Sequence, residues 1–566
     1  MPVKINLNGQ WNFIADLDPK YHEDISIHAQ HEYLRPDANR RFWHKVPVPG
    51  VWQKYGERYD IYEGVCWFSR EFNIPYQPAN ARLRFGGVNY LCDVYINGKH
   101  IGSHEGGYTE FTLDTRDALH EGENHIAVRV DNRATNIKWP PCLGYFNYGG
   151  IHRDVTLELD PIPDIYLSAE PLKTGWRLRV TAEDTNNLTV SCHGQTASGT
   201  VIDILDVKSW SPDSPQLYPV RITFADGNET EILYGFKTVE VRDGVPLLND
   251  KPISLNGVCY VYDSPVNGLV MKREELEKDL HLIKEMGAVA VRCHYPMDKL
   301  FYEICDRIGL LVWIEPPVYC YHPGDTDTGT KFADKEWLAL AENMIIEMIR
   351  SAKNHPCVAI YGIGNECNTK NAESELFFKT LAAAVRREDS ARLVSYAALY
   401  GIVGPIADIV DVLGVNSYWG WYDKVFGGKG LSPEIAGQMK TVEREPIDLT
   451  PMRDMLDTII RESRSNLALL LTEFGADSVP GFYATGRDLW SENYHAELLT
   501  EIFALGDEYP QIVGTFPFCF TDYRDPSKFL NGYWDERNLK GLVSYNRERK
   551  LAYEAVKKRY GRKEKK

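Results

Sequence analysis

From the N-terminus to about residue 160, apolar and polar positions alternate with period two in short runs. WFSREFNI (Trp67 to Ile74), ARLRFGGV (Ala81 to Val88) and CDVYING (Cys92 to Gly98) read as half-buried strands. Asn97-Gly98 is a hairpin signal, because both residues tolerate positive φ. No stretch there carries a helical period, so residues 1–160 are predicted to form a β-sandwich. The same grammar continues in a smaller unit over residues 161–243. WRLRVTAED (Trp176 to Asp184) and QLYPVRITF (Gln216 to Phe224) are strand-like, and WSPDSP (Trp210 to Pro215) is a proline-punctuated loop between them. That length of short strands predicts an immunoglobulin-like sandwich, with the turn RDGVPL (Arg242 to Leu247) as its boundary.

After residue 244 the pattern changes to continuous apolar runs separated by amphipathic stretches. The runs are ISLNGV (Ile253 to Val258), AVAVRC (Ala288 to Cys293), LLVWIE (Leu310 to Glu315), VAIYGIG (Val358 to Gly364), LVSYAA (Leu393 to Ala398), VDVLGVN (Val410 to Asn416), LALLLTE (Leu467 to Glu473) and QIVGTFPF (Gln511 to Phe518). Runs without alternation fit strands buried on both faces. Between the first two, REELEKDLHLIKEMG places Leu276, Leu280 and Ile283 on one helical face, with Gly287 where a helix-ending glycine belongs. Eight such runs with helical spacers over residues 244–566 predict a (β/α)8 TIM barrel. Chemistry in such barrels sits at the C-terminal ends of the strands, so the polar residues that close each run are the candidates.

Composition narrows the class. A chain of 566 residues exceeds one core and agrees with three domains. The formal net charge of −17 disfavours nucleic acid and anionic membranes as partners, and requires a local cationic site for any anionic small molecule. The 11 cysteines show neither CxxC nor CxxxC spacing, so neither a disulfide framework nor a zinc site is indicated, and no metal or organic cofactor is expected. MPVKINLNGQWNF lacks the charged and apolar regions of a signal peptide, and no apolar run reaches the length of a membrane span; a cytoplasmic location is the expectation. Aromatic content is 12%, which serves sugar binding and β-rich cores equally well.

Two carboxylates stand out. Glu366 follows the fourth run in YGIGNEC, and Glu473 closes the seventh in LLLTEFG. A carboxylate directly after an apolar strand is costly unless solvated or used. Either one alone is equally well read as a rim group paired to an arginine; two on one barrel mouth point to function. Such a pair about 5–5.5 Å apart suits double displacement at a sugar anomeric carbon, one ionised as nucleophile and the other holding a proton. Asn365 beside the first carboxylate is placed to bond the neighbouring sugar hydroxyl, or is simply a turn residue.

These residues carry a resemblance. VYINGKHIGSHEGGYTEFTLD (Val94 to Asp114), FNYGGIHRDV (Phe146 to Val155), WSPDSPQLY, RCHYP (Arg292 to Pro296), GNE and TEFG together resemble glycoside hydrolase family 2, and within it the β-glucuronidases, over nearly the whole length. The resemblance implies a sugar-binding-like jelly-roll sandwich, the immunoglobulin-like sandwich and a catalytic barrel. It implies Glu366 as acid/base and Glu473 as nucleophile. It also places NSYWGWY (Asn416 to Tyr422) after the sixth strand, with Tyr418 orienting the nucleophile and Trp421 and Tyr422 lining the pocket, and Arg292 orienting Glu473. His294 contacts substrate or nucleophile, or supports them from behind. In RNLKG, Asn538 and Lys540 match the Asn-x-Lys pair that holds a uronic carboxylate, as an anionic substrate in an acidic protein would require. Glu315 in IEPP and Cys367 beside Glu366 are read as structural. The long segment from Val425 to Thr450 is expected to shape the entrance for the leaving group.

The chain also departs from that pattern. Val261 stands where a histidine is usual, Gly144 where an aspartate is, Phe518 for a tryptophan and Trp534 for an arginine. The missing groups grip sugar hydroxyls away from the anomeric carbon. A small-molecule β-glucuronide is therefore the expected substrate, with β-galacturonide and then a neutral β-galactoside as alternatives. A glycan-binding protein on a degenerate hydrolase fold is the non-enzymatic alternative. Homo-oligomers are the expectation by analogy with the family.

Overall fold

The computed structural model describes residues 2–16, 34, 43–133, 137–141, 144–183, 187–425, 446–484, 487–531 and 536–561. The N-terminal sandwich packs a four-stranded antiparallel sheet against a six-stranded one. The strand Ala81–Phe85 shows how the sequence builds it: Ala81, Leu83 and Phe85 are buried, while Arg82 and Arg84 point out and pair with Glu158 and Glu110. Asn97 and Gly98 both adopt left-handed φ (51° and 79°) between Leu91–Ile96 and Lys99–Glu105, so the hairpin read from the sequence forms there. The next unit pairs a three-stranded with a four-stranded sheet around its own core of Leu178, Val190, Ile204, Val220 and Phe236. The turn at Asp243-Gly244, where the sequence suggested a boundary, is the tip of a hairpin between Val239–Arg242 and Val245–Leu248.

All eight apolar runs become the eight strands of one parallel sheet, in chain order: Gly257–Cys259, Ala290–Cys293, Leu311–Ile314, Val358–Asn365, Leu393–Leu399, Val412–Asn416, Ala468–Glu473 and Ile512–Thr515. Bonds from Leu255 N to Val513 O (2.9 Å) and from Cys259 N to Pro517 O (3.1 Å) close the first strand onto the segment of the last. The barrel helix Arg273–Glu285 buries Leu276, Leu280 and Ile283, and Gly287 follows it at φ 93°. After the fifth strand the described chain makes only a 3₁₀ turn, Gly404–Asp408.

The sandwich is fixed to the barrel beside its mouth. Trp139 stacks on Trp337 (3.6 Å between ring centroids), Tyr108 stacks on Tyr295 (4.2 Å), and Arg153 donates to the Pro296 carbonyl at 2.6 Å. Tyr145, next to Gly144, meets the edge of Tyr319 (6.0 Å), whose ring in turn faces His294 (6.3 Å). The sandwich thus supports the rim of the barrel mouth, while its own core lies elsewhere. No helix among the described residues is long and apolar enough to cross a membrane.

Candidate active site

Arg292, at the end of the second barrel strand, is the hub of the mouth. It is 1% exposed. One guanidinium nitrogen donates to Glu473 Oε1 (2.8 Å); the other donates to Glu315 Oε1 (2.8 Å) and Asn365 Oδ1 (2.7 Å). Strand order explains the meeting. Arg292, Glu315 and Asn365 end the second, third and fourth strands, and an inward side chain at each end reaches the same axis. Gly362 makes room for it, because a Cβ there would stand 2.6 Å from that of Glu315.

Glu473 is surrounded by donors. Tyr418 donates to its Oε2 at 2.8 Å, Arg292 to its Oε1, and His294 Nε2 stands 3.4 Å from Oε1 while its Nδ1 bonds Glu315 (2.8 Å). Glu315, read from sequence as structural, therefore orients two groups that touch Glu473. Burial of the Tyr418 phenol and the adjacent Glu473 charge push its pKa well above the usual 10, so it remains a donor.

Glu366 sits in the opposite environment. Its φ of 53° turns the chain left-handed just past the fourth strand, a conformation that costs a non-glycine residue about 1–2 kcal/mol. The loop after the third strand pairs beside it, through Cys320 N to Asn365 O (3.0 Å), and brings the Cys320 thiol to 3.7 Å from Glu366 Oε2. Asn416, fully buried on the sixth strand, donates to Glu366 Oε1 (2.7 Å) and Asn365 Oδ1 (2.9 Å), while its own carbonyl accepts from Thr472 (2.6 Å). Burial first, and then the charge of Glu473, raise the Glu366 pKa to about 8; the Asn416 and Cys320 bonds only partly offset this. At neutral pH Glu366 is thus mainly a neutral acid. Asn416 donates to Oε1 and the Cys320 thiol to Oε2, so each carboxyl oxygen of Glu366 meets a donor, the shorter bond being at Oε1. Asn365 has its carbonyl engaged twice and keeps its NH₂ for another acceptor. The Cys367 thiol beside it is fully buried.

A second cluster lies between the loops after the sixth, seventh and eighth strands. Lys540 is fully buried, ion-paired to Asp477, and donates to the Tyr422 hydroxyl at 2.9 Å. Asp477 also accepts from Trp421 Nε1 (2.8 Å) and Leu539 N (2.9 Å). Burial works to raise the Asp477 pKa, but the Lys540 and Lys528 ammoniums outweigh it and hold the carboxyl down at about 2. Trp421, expected to line the pocket, is 1% exposed and serves instead as a support under Asp477. Asn538 is engaged within its own loop: its carbonyl accepts from Lys540 N (3.2 Å) and its amide donates to Tyr523 OH (3.1 Å). Lys528, which the sequence reading did not single out, donates to the same Tyr422 hydroxyl at 2.6 Å.

The departures from the family pattern also have places. Phe518 packs between His294 (5.8 Å) and Tyr418 (6.4 Å), at the mouth. Val261 is buried. Gly144 is exposed, and a Cβ there would meet nothing within 4 Å. Trp534 and residues 426–445 of the long segment after the sixth strand lie outside the described residues. Among the described residues no group of His, Cys, Asp and Glu is arranged to hold a metal ion.

A parallel barrel with two carboxyls, Glu366 and Glu473, facing its mouth in unlike environments is the architecture of a barrel glycosidase, and comparison with known proteins gives the family. The model for "Glycosyl hydrolases family 2, TIM barrel domain" matches residues 239–564, and that for "Glycosyl hydrolases family 2, sugar binding domain" matches residues 5–161. The chain belongs to glycosyl hydrolase family 2 and is a glycoside hydrolase. A β-glucuronidase from Streptococcus agalactiae is 25% identical over 558 residues, covering 88% of each chain. Among solved structures, a β-glucuronidase from Ruminococcus gnavus superimposes with a TM-score of 0.84 at 24% identity, over 99% of this chain and 98% of that one. A family 2 β-galacturonidase from Eisenbergiella tayi bound to galacturonate gives 0.81 at 24% identity, over 99% and 97%. At that identity the two structures show the shared fold.

Proposed function

We propose that the enzyme hydrolyses β-linked uronides with retention of configuration, with β-D-glucuronides as the first substrate class. One observation carries the mechanism: burial and the neighbouring Glu473 raise the Glu366 pKa, while Glu473 accepts from Arg292 and Tyr418. Arg292 and Tyr418 each donate to one oxygen of Glu473 and so orient it for attack on the anomeric carbon, while Glu366 keeps a proton for the departing oxygen. Once Glu473 is esterified to the sugar its charge is gone, and one cause of the raised Glu366 pKa goes with it. Glu366 then becomes a better base for the incoming water. The Asn365 NH₂ is the donor available for the sugar hydroxyl next to the reacting carbon.

Uronide preference is supported by the ammonium cluster at Tyr422, in a protein whose charge otherwise repels anions, and by relatives at 25% identity that are β-glucuronidases. A galacturonide is the second reading. The open space at Gly144 and the apolar Val261 leave out two polar groups that the family resemblance assigns to gripping sugar hydroxyls.

A 2-deoxy-2-fluoro uronosyl fluoride tests both parts. Mass spectrometry of the digested protein is expected to find the label on the peptide containing Glu473. Label elsewhere, or an inverted first product by proton NMR, overturns the mechanism. Hydrolysis of aryl β-glucuronide against aryl β-galacturonide decides the configuration at C4.

A further inference from the structure

We propose that Lys528, rather than Lys540, is the principal cation for the substrate carboxylate, with the Lys540–Asp477 pair acting as the fixed floor on which it works. This rests on the uronide reading above. The Lys540 ammonium is fully buried, and its charge is already matched by Asp477, which the same ammonium keeps ionised. Asp477 in turn is locked by Trp421 and Leu539. A buried, compensated pair of this kind has little charge left to offer a ligand.

Lys528 differs on each point. It lies in the short helical turn Pro526–Asn531 after the eighth strand and is partly exposed. It donates to the Tyr422 hydroxyl at 2.6 Å and lies 4.9 Å from the centroid of that ring. Among the described residues no carboxylate stands within ion-pair distance of it. The nearby Asp525 is committed to Ser527 Oγ (2.6 Å) and Ser527 N (3.0 Å). Two ammoniums converge on one phenol oxygen, and among the described residues Asp477 ion-pairs directly with only one of them, Lys540. Lys528 lies in the field of Asp477 and Asp525 but is directly ion-paired to neither among the described residues, so its ammonium keeps a donor position for an incoming anion. Lys528 also stands ten positions before Asn538 in a chain that has Trp534 where the family resemblance expects an arginine. The loop thus supplies its exposed cation from a different position.

The experiment compares the wild type with Lys528→Met and Lys528→Arg on 4-nitrophenyl β-D-glucuronide, β-D-galacturonide and β-D-glucoside, with a thermal melt of each variant as a folding control. Lys528→Met is expected to lower kcat/KM on the better uronide roughly 10- to 100-fold more than on the glucoside, the scale of one charge-assisted hydrogen bond. The loss should appear mainly in KM, and Lys528→Arg should recover most of it. Equal losses on uronide and glucoside, or an unchanged KM for the uronide, overturn the assignment of Lys528 while leaving the uronide reading in place. A wild type that prefers the glucoside overturns both.

Discussion

The reaction centre and the ammonium cluster share one barrel mouth but are built on opposite terms. At the reaction centre every side chain comes from a strand end or the first residues after it: Arg292, Glu315, Asn365, Glu366, Asn416, Tyr418 and Glu473. Each has at least one partner in the same network, so geometry is set by the barrel itself. The ammonium cluster is assembled from three loops, and of its two lysines only Lys540 has a direct ion pair among the described residues. In the proposed function the first region sets the reaction and the second selects the sugar. The same division predicts how substitutions behave. Changes at the centre should cost turnover on every glycoside alike, whereas changes at the cluster should cost discrimination.

The largest effect belongs to Glu473→Gln, which removes the proposed nucleophile while keeping the volume. Turnover should fall on the order of 10⁴-fold or more on uronide and neutral glycoside equally. A loss confined to uronides would erase the distinction between the two regions. Glu366→Gln comes next, with a loss of about 10² to 10⁴-fold. Substrates whose leaving group needs no protonation, such as 2,4-dinitrophenyl glycosides, should retain much more of the first step than alkyl glycosides do. Equal losses on both would remove Glu366 from the acid role.

Arg292→Met breaks the hub and leaves Glu473 and Glu315 buried without their cation. Uncompensated buried charges of this kind cost about 3–5 kcal/mol. The melting temperature should drop along with activity on all substrates. A variant with wild-type stability and a selective loss on uronides would show that the two regions are coupled through Arg292. The Lys528 variants fall below this in size and act on the other side of the comparison.

Legibility followed the same division. The eight barrel strands were readable because strands buried on both faces cannot alternate, and the two glutamates because a charge at the end of such a run is conspicuous. Lys540 was found through its spacing to Asn538, but its burial and its partner were not. Asp477 lies four residues beyond Glu473, and its only sequence signal is a general one: a buried lysine in a chain of net charge −17 needs an anion. Lys528 gave no signal, since DPSK reads as an ordinary turn and only the fold carries it to Tyr422. Glu315 was read as structural, but its partners were not legible, because its position at a strand end does not reveal that Arg292 and His294 both meet it. Trp421 was misplaced because an aromatic after a strand reads the same whether it faces the pocket or supports it from below.

The smallest predicted effect probes the reaction centre at its one soft contact. The proposed mechanism needs the proton on Glu366, so kcat/KM should fall as pH rises through about 8. The Cys320 thiol, 3.7 Å from Oε2, stabilises the ionised form and so holds that pKa down. Cys320→Ala removes a weak donor and leaves Asn416 in place. The alkaline limb of the pH profile should move upward by a fraction of a unit, with the acid limb and KM unchanged. Because the limb is set by Glu366 and not by the cluster, the same shift should appear with glucuronide and with neutral glycoside. A downward shift would mean that the thiol favours the neutral acid, and a shift seen on uronides alone would mean that the limb reports an ammonium at Tyr422 instead of Glu366.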